Sequence, residues 1–353
     1  MLRINLAIIE MKHPIALLMN DLHISKDNIS EFQKNWYEAL DICKEKDIFD
    51  IVIGGDVFTA RAAQTLSVLL AVSKCYLEAA KRGFNLTIAE GNHDLVNQEL
   101  LEGYNHIFAP YKYVDVVDDF KVLQWEDCDY TLAIMSYFPE RGSFYKRLEE
   151  LKDKLKSDGV ELSQTILYIH EEINGCLGNF DTGNSCEISW FDGFKDVLVG
   201  HIHNRLFISG TSIEYIGSSR QNSFGEDEEK GYTVLYDDGS HEFIKNEVNI
   251  RYKNIEVDYK DLDKVEPETD ERYKVKLKVR CTDAQTKLVD KKALLCKVSK
   301  VELLTEKTKA VEVNESDINV KFDKSSIIST YVEFCNEKEV DSKLGIEYLK
   351  KID

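Results

Sequence analysis

The chain is predicted to fold as a layered α/β domain followed by a smaller second region. Two observations lead to this prediction. Short apolar runs alternate with stretches of helical spacing over the first 240 residues, and the charge composition changes near residue 250. With 353 residues, the chain is long enough for two domains of ordinary size. Apolar strands separated by helices are typical of sheets buried beneath helices.

Six apolar runs are short enough to be buried strands. They lie at 15–19, 51–53, 86–89, 132–135, 166–169 and 197–199. Between the first two runs, apolar residues recur at helical spacing: Phe32, Trp36, Leu40 and Cys43. Between the second and third runs, the same spacing is shown by Leu66, Leu69, Leu70, Tyr76 and Leu77. A helix is therefore expected in each interval, and Gly83 occupies the position of a helix C-cap.

The charge of the chain is unevenly distributed. The whole chain has 45 basic and 64 acidic residues, a formal net charge of −19, which argues against nucleic-acid binding through a simple basic excess. Residues 251–353 contain 22 basic and 22 acidic residues, so the entire acidic excess lies in the first 250. This break predicts a domain boundary at about residue 250.

Nothing in the sequence indicates a membrane or secretory segment. No apolar run reaches the roughly 18–20 residues of a membrane-spanning helix, and the run at 4–9 is too short for a signal-peptide core. The eight cysteines show no C-x-x-C spacing, which indicates reduced thiols rather than a disulfide framework. We therefore expect a cytoplasmic protein without membrane contact.

Polar motifs follow five of the six predicted strands. They are Asp21-Leu22-His23, Gly54-Gly55-Asp56, Gly91-Asn92-His93-Asp94, His170 and Gly200-His201-Ile202-His203. The carboxyl ends of strands are where open α/β sheets build their sites. Residues two apart on an extended strand point the same way, so each D-x-H or H-x-H pair is expected to face one point.

These motifs supply a mixed set of oxygen and nitrogen ligands. They contain three carboxylates, one amide oxygen and five of the eight histidines in the chain. Such a set suits manganese, iron or zinc better than magnesium or calcium. It also exceeds what one ion can use, so we expect two ions about 3.5–4 Å apart that share a carboxylate. Each motif alone is usually structural, but the five together indicate a dinuclear site suited to attack on phosphorus.

From about residue 14 to 240, the motifs resemble those of the calcineurin-like metallophosphoesterase superfamily. The resemblance implies a four-layer α/β sandwich with the dinuclear site at one sheet edge. It implies that one ion is held by Asp21, His23, Asp56 and His203. The second ion would be held by the bridging Asp56 with Asn92, His170 and His201. His93 would protonate or steady the leaving oxygen, and Asp94 would orient His93.

Within this superfamily, the chain resembles in particular the SbcD-type nucleases of DNA double-strand-break repair and their phage counterparts. Protein phosphatases have G-D-x-x-D-R-G and G-N-H-E, where residues 55–61 read G-D-V-F-T-A-R and residues 91–94 read G-N-H-D. The segment Asp56-Val57-Phe58 resembles the G-D-x-F motif of these nucleases. Residues 215–218, 223–226 and 230–232 resemble their return segment. The resemblance implies a nuclease domain at 1–250, a smaller α+β DNA-capping domain at 251–322 and C-terminal helices at 323–353.

The predicted capping domain contains a basic strand. Its cations alternate with apolar residues, at Lys274, Lys276, Lys278 and Arg280. Spaced about 6.6–6.8 Å apart on one face, these side chains could contact DNA phosphates. The alternative is a solvated strand face that only discourages edge pairing.

The C-terminal residues are predicted to form two amphipathic helices. Candidate partner contacts are Ile327, Tyr331, Phe334, Leu344 and Tyr348. Helices at a chain end usually fold back on their own domain. In the nucleases that the chain resembles, however, such helices bind the coiled-coil base of an SMC-like ATPase.

Taken together, these observations predict a manganese-dependent DNA nuclease with double-strand exonuclease and single-strand endonuclease activity. It would be the catalytic subunit of a complex with an SMC-like ATPase, and the resemblance also implies a homodimer. Two alternatives stay open. One is a small-molecule or nucleotide phosphodiesterase with the same dinuclear site, and the other is a non-catalytic interaction subunit that has kept the motifs.

Overall fold

A computed structural model describes most of the chain. The described residues are 12–95, 102–126, 128–139, 141–176, 185–266, 270–305, 331–332, 335, 341–343 and 345–346. The chain divides into two compact units. The first comprises Met1–Glu256, Asp263–Lys278 and Lys291–Glu302, and the second comprises Val257–Leu262, Val279–Asp290 and Leu303–Asp353. The division into domains at 1–250, 251–322 and 323–353 stays a prediction.

Twelve strands lie among the described residues between 14 and 245. In chain order they are β1 (Pro14–Met19), β2 (Asp50–Ile53), β3 (Asn85–Ala89), β4 (Val114–Val117), β5 (Phe120–Leu123), β6 (Thr131–Met135), β7 (Thr165–Ile169), β8 (Asp196–Val199), β9 (Leu206–Phe207), β10 (Ile213–Tyr215), β11 (Gly231–Tyr236) and β12 (His241–Lys245). Between them lie α1 (Ile29–Glu45), α2 (Leu66–Lys81) and α3 (Arg141–Ser157). The later elements are β13 (Arg251–Asp258), β14 (Tyr273–Cys281), α4 (Asp283–Thr286), α5 (Lys291–Leu295) and β15 (Lys300–Thr305). Short 3-10 helices occur at Tyr104–Phe108, Leu162–Gln164, Ile188–Phe191 and Tyr259–Lys264.

The twelve strands form two six-stranded mixed sheets. The first has the order β12-β11-β1-β2-β3-β4, in which β1 to β4 run parallel. The second has the order β5-β6-β7-β8-β10-β9, in which β6, β7, β8 and β10 run parallel. All six predicted strands are confirmed, as β1, β2, β3, β6, β7 and β8. A third sheet has the order β13-β14-β15.

Three apolar clusters separate four layers. The first packs α1 and α2 against the outer face of the first sheet, and the second packs α3 against the outer face of the second sheet. The third lies between the sheets, where Leu18 and Val52 meet Ile134, Ile166 and Leu198. The predicted α/β class and its four-layer sandwich are therefore confirmed. Neighbouring residues of one strand belong to different clusters because side chains alternate between the two faces of a sheet.

Both predicted helices are present, but the residues that predicted them differ in burial. All four residues predicted for α1 are buried. In α2 only Tyr76 is buried among the five, and its buried face otherwise consists of Val68, Ala71, Val72, Cys75 and Ala79. The helix predicted from this spacing is confirmed, although Leu66, Leu70 and Leu77 are 70%, 49% and 43% exposed.

The predicted stop of α2 is confirmed. Gly83 has a φ of +88°. Its N–H bonds to the carbonyl of Ala80, and the N–H of Phe84 bonds to the carbonyl of Ala79. This pair of bonds is the Schellman arrangement, which ends a helix at a residue that tolerates the left-handed conformation.

No helix among the described residues is both long enough and apolar enough to span a membrane.

The burial difference along α2 predicts the effects of two substitutions. Val72→Ala should lower the free energy of unfolding by about 2 kcal/mol, because it removes two fully buried methyl groups. Leu70→Ala removes more carbon from the same helix but from its exposed face, so its effect should stay within about 0.5 kcal/mol. Urea unfolding of both variants measures the difference, and equal losses would contradict the assignment of the buried face.

Candidate metal centre

The predicted site residues lie at the carboxyl ends of parallel strands in both sheets. Asp21 follows β1, Asp56 follows β2, and the segment 91–94 follows β3 of the first sheet. His170 follows β7 and the segment 201–203 follows β8 of the second sheet. Because the sheets face one another, the five loops meet at one edge of the sandwich.

The backbone of these loops is not extended, so the predicted reason for their convergence was wrong. Among the described residues, five that are not glycine have a positive φ, and four of them belong to the site: Asp21, His23, Asp56 and His201. The loops after β1 and β2 also bond to each other, with the N–H of Asp21 on the carbonyl of Gly55 and the N–H of His23 on that of Asp56. Left-handed residues turn the donors inward, which a two-residue strand repeat would not achieve.

Two glycines let the side chains approach this closely. Gly55 has a φ of +106°, and a Cβ there would lie 2.7 Å from Nδ1 of His170. A Cβ at Gly91 would lie 2.2 Å from Oδ1 of Asp56. The glycines of the second and third motifs are therefore required by the close approach of the site side chains.

One set of donors surrounds the carboxylate of Asp21. Oδ1 of Asp21 is buried and has no hydrogen-bond partner within the described residues. The Nε2 atoms of three histidines lie around it: His203 at 3.7 Å, His23 at 3.8 Å and His170 at 3.9 Å. An orphaned carboxylate oxygen that faces imidazole nitrogens is the arrangement expected of ligands that share a cation.

A second set of donors surrounds the carboxylate of Asp56. Its Oδ2 lies 3.4 Å from Nε2 of His23 and 3.4 Å from Nε2 of His170. Its Oδ1 accepts the N–H of His93 at 2.8 Å, which fixes the carboxylate with Oδ2 toward the histidines. Donors that bind one ion at about 2.1 Å are separated by about 3.0–3.5 Å. Oδ2 of Asp56 is thus the atom shared by the two donor sets.

Asn92 and His201 complete the second set. Oδ1 of Asn92 lies 3.2 Å from Nδ1 of His201 and 3.3 Å from Oδ2 of Asp56. With the amide reversed, nitrogen would donate to both of these atoms. In the oxygen-inward orientation, Oδ1 of Asn92 and Oδ2 of Asp56 are two acceptors that face each other, and a cation between them is what would favour it.

The buried carboxylates control the protonation of the histidines. Burial lowers the pKa of His23 to about 4, although Asp56 and Asp21 oppose this. Burial also acts against the charged form of His170, but the carboxylate of Asp56 raises its pKa to about 10. For Asp56 itself, burial raises the pKa, and the neighbouring His170 outweighs this and holds it below its ordinary value. The cluster therefore attracts positive charge, which a divalent cation would supply.

His93 lies at the cavity wall and is oriented by a backbone carbonyl. Its Nδ1 donates to the carbonyl of Thr59 at 2.7 Å, and its Nε2 lies 3.1 Å from Nη2 of Arg61. A ring nitrogen of His93 also comes within 4.8 Å of donor atoms of His23 and Asp56. Of the two site residues predicted to act without binding an ion, His93 is thus the one that borders the donor sets.

Asp94 does not orient His93, so that prediction was wrong. Its carboxylate is fully buried and accepts the backbone N–H groups of Val57, Phe58 and Gly91 at 3.2, 2.9 and 2.9 Å. Burial and the nearby Asp56 raise its pKa to about 7 despite these bonds. Asp94 therefore joins the loops that follow β2 and β3, and Thr59 takes the role expected of it.

Several site residues were not predicted. Arg61, Asn222 and Glu226 line the same cavity of about 460 Å³ as the predicted donors. Arg61 is five residues after Asp56. It ends the segment 55–61, whose sequence distinguishes the chain from protein phosphatases. Glu226 belongs to the return segment quoted for the resemblance, but that resemblance assigned it no role.

The predicted DNA-binding residues lie on β14. Val275, Leu277 and Val279 are buried, so the alternation with the basic residues is confirmed. Two of the cations already have acidic partners: Lys274 contacts Glu31 at 2.6 Å, and Lys276 contacts Glu302. Lys278 is half-buried and Arg280 is exposed. Contact with DNA stays a prediction.

The predicted partner-binding residues are mostly outside the described residues. This applies to Ile327, Phe334, Leu344 and Tyr348. Tyr331 is described, and its side chain lies so close to Gly345 that a Cβ there would be 2.1 Å from Oη. Binding of an ATPase by this segment stays a prediction.

Known structures that are similar to this chain include two phosphatases and a nuclease. A dimetal phosphatase from Danio rerio has a TM-score of 0.42 and 8% identity, covering 63% of this chain and 93% of that one. The nuclease MPE of Pseudomonas putida has a TM-score of 0.29 and 16% identity, with 63% and 84% covered. A cold-active protein-tyrosine phosphatase of a Shewanella species has a TM-score of 0.29 and 16% identity, with 65% and 80% covered. At these TM-scores none of the three bears on the substrate of this chain.

Comparison with curated proteins gives no match. A family profile, calcineurin-like phosphoesterase, matches residues 16–205, which is more than half of the chain and includes all nine predicted metal-ligand and catalytic residues. A dinuclear metal site is expected for this family, and the donor sets around Asp21 and Asp56 supply candidate ligands for it. The chain belongs to the calcineurin-like phosphoesterase family.

Proposed function

We propose that the protein is a manganese-dependent DNA nuclease that acts at DNA ends in recombination and repair. It would cut duplex DNA as an exonuclease and single strands as an endonuclease. The proposal includes an SMC-like ATPase as its partner and a homodimer as its assembly. One observation supports the phosphodiesterase chemistry: two donor sets share Oδ2 of Asp56 beside an open cavity.

In this proposal the first ion would be held by Asp21, His23, Asp56 and His203. The second would be held by Asp56, Asn92, His170 and His201. The mixed carboxylate, amide and imidazole donors suit manganese. When bound, the two ions supply Lewis acidity toward the phosphoester and neutralise charge that builds up on it.

The chain itself supplies groups for binding and proton transfer. The guanidinium of Arg61 reaches the cavity wall beside His93, where it can bind a phosphate oxygen through two N–H groups. The carbonyl of Thr59 holds the His93 ring at the cavity wall, with Nε2 beside the guanidinium of Arg61. Once protonated, that nitrogen can deliver its proton to the leaving oxygen.

DNA is proposed as the substrate because of the nuclease-type motifs and the region that follows the core. The size of the cavity does not decide the matter, since about 460 Å³ is ordinary for a small-molecule site as well. The basic strand supports DNA contact less strongly than its sequence implied, because Glu31 and Glu302 offset two of its charges. With a net charge of −19, the chain would bind DNA weakly alone and depend on its partner.

The substrate class can be tested with the full-length chain. Purified protein with Mn²⁺ should cleave bis-p-nitrophenyl phosphate and, more slowly, labelled duplex, hairpin and single-stranded DNA. DNA cleavage should increase on addition of an SMC-like ATPase, because the partner supplies the missing affinity. Cleavage of the ester without DNA cleavage, even with the ATPase, would favour the small-molecule phosphodiesterase. Bound Mn²⁺ without cleavage of either would favour a non-catalytic subunit.

Because both positions share Asp56, its substitution is predicted to impair metal binding. Asp56→Ala should weaken Mn²⁺ binding at both positions by more than about 100-fold, because loss of even an outer-shell partner costs about 10–100-fold. Isothermal titration with Mn²⁺ measures this. Asp153→Ala, which changes an exposed carboxylate on α3, serves as the control and should match the wild type. Two intact Mn²⁺ positions in Asp56→Ala would contradict the bridging role.

His93→Asn separates proton transfer from metal binding. The variant should retain two Mn²⁺ ions and lose about 10²–10⁴-fold in cleavage rate. Metal content is measured by titration and cleavage with the same ester and DNA substrates. Loss of an ion would instead make His93 a ligand, as its proximity to His23 and Asp56 allows. Unchanged cleavage would remove it from the reaction.

A further inference from the structure

Glu226 is in direct contact with one of the proposed ligands. Its Oε1 lies 3.0 Å from Nδ1 of His203, while Nε2 of the same ring lies 3.0 Å from Nε2 of His23 and 3.7 Å from Oδ1 of Asp21. A carboxylate only accepts, so Nδ1 of His203 carries the proton. The lone pair of Nε2 is then directed toward the first donor set.

The carboxylate of Glu226 is itself held in place. Its other oxygen, Oε2, accepts the backbone N–H of Asn222 at 2.9 Å and lies 3.5 Å from Nζ of Lys230. Glu226 therefore presents a carboxylate in a fixed position to the outer nitrogen of His203.

Two buried cations of the same segment hold the backbone of the ligand loops. Lys230 is completely buried and bonds to the carbonyl of His203 and, at 2.8 Å, to Oδ1 of Asn204. Arg220 is 1% exposed and donates to the carbonyls of Leu22 and His23 at 2.8 and 3.0 Å. Burying a cation is costly unless nearby acceptors compensate it. Here the acceptors include carbonyls of residues that carry or adjoin ligands, together with the carboxylates of Glu226, Asp227 and Glu31.

We propose that Glu226 is a positioning residue for the first metal position, acting through His203. Its carboxylate selects the His203 tautomer that offers Nε2 to the ion and makes that nitrogen a stronger donor, as outer-shell carboxylates do for metal-bound histidines. Lys230 supports the arrangement by fixing the backbone of the same histidine. This inference rests on the metal centre proposed above.

The substitution Glu226→Gln tests the charge while nearly preserving shape. Its Mn²⁺ dissociation constant at the first position should rise about 10–100-fold, with the second position less affected. Glu229→Gln is the matched control, because Glu229 is three residues away and exposed, and its side chain pairs with Lys245. Binding is measured by titration of the metal-free full-length chain with Mn²⁺ alone.

Thermal unfolding distinguishes positioning from a purely structural role. In EDTA, Glu226→Gln should unfold within a few degrees of the control, whereas the rise in Tm on addition of Mn²⁺ should be smaller. If Glu226→Gln and the Glu229→Gln control show the same Tm in EDTA and the same rise in Tm with Mn²⁺, the inference is overturned. A wild-type chain that binds no Mn²⁺ would overturn the metal centre and this inference together, while normal binding by Glu226→Gln would overturn only the inference.

A double-mutant comparison covers the case in which Glu226→Gln also destabilises the fold. If Glu226 acts through His203, adding Glu226→Gln to His203→Asn should cause no further loss of Mn²⁺ affinity. Additive losses from the two substitutions would show that Glu226 acts independently of His203 and would overturn the proposal.

Discussion

The structure around the metal centre depends on two carboxylates buried in the same place. Asp21 is fully buried and Asp56 is 2% exposed. Charges this poorly hydrated are stable only when neighbouring groups compensate them. Backbone N–H groups take one oxygen of each carboxylate, and the other oxygens face imidazoles and the space for cations. The close glycines, the turned loops and the histidine protonation all follow from this need.

The loops that carry these donors are strained and held from outside. Non-glycine residues in the left-handed region cost of order 1–3 kcal/mol each, and four of them occur within this one site. Bonds between the loops after β1 and β2 and the buried side chains of Arg220 and Lys230 hold this geometry. These bonds, rather than local backbone preference, keep the donors in place.

The fold and the donor set could be predicted because their signals are local. Apolar runs mark buried strands wherever they pack, and the ligands follow those strands directly. The buried face of α2 could not be read in the same way, because Leu70 and Val72 are both apolar and only tertiary packing distinguishes them. The inward turn of Asp21 and His23 depends on positive φ values that residue type does not reveal.

The same limit applies to the partners of the site residues. Neighbours in sequence suggested that Asp94 would support His93, but Asp94 bonds to the backbone of another loop and Thr59 supports the ring. Glu226 and Arg220 act across distances that no local pattern contains. Their sequence context pointed to a family, and only the folded chain shows which atoms they contact.

The contacts of Arg220 also have a consequence for the order in which the site is made. They join residues 197 and 198 positions apart. At the usual 5–20 residues per second of synthesis, the loop after β1 leaves the ribosome about 10–40 s before Arg220 does. During that interval Asp21 and His23 exist without the side chain that holds their loop. The metal centre is therefore completed only after Arg220 has been synthesised, 197 positions after His23.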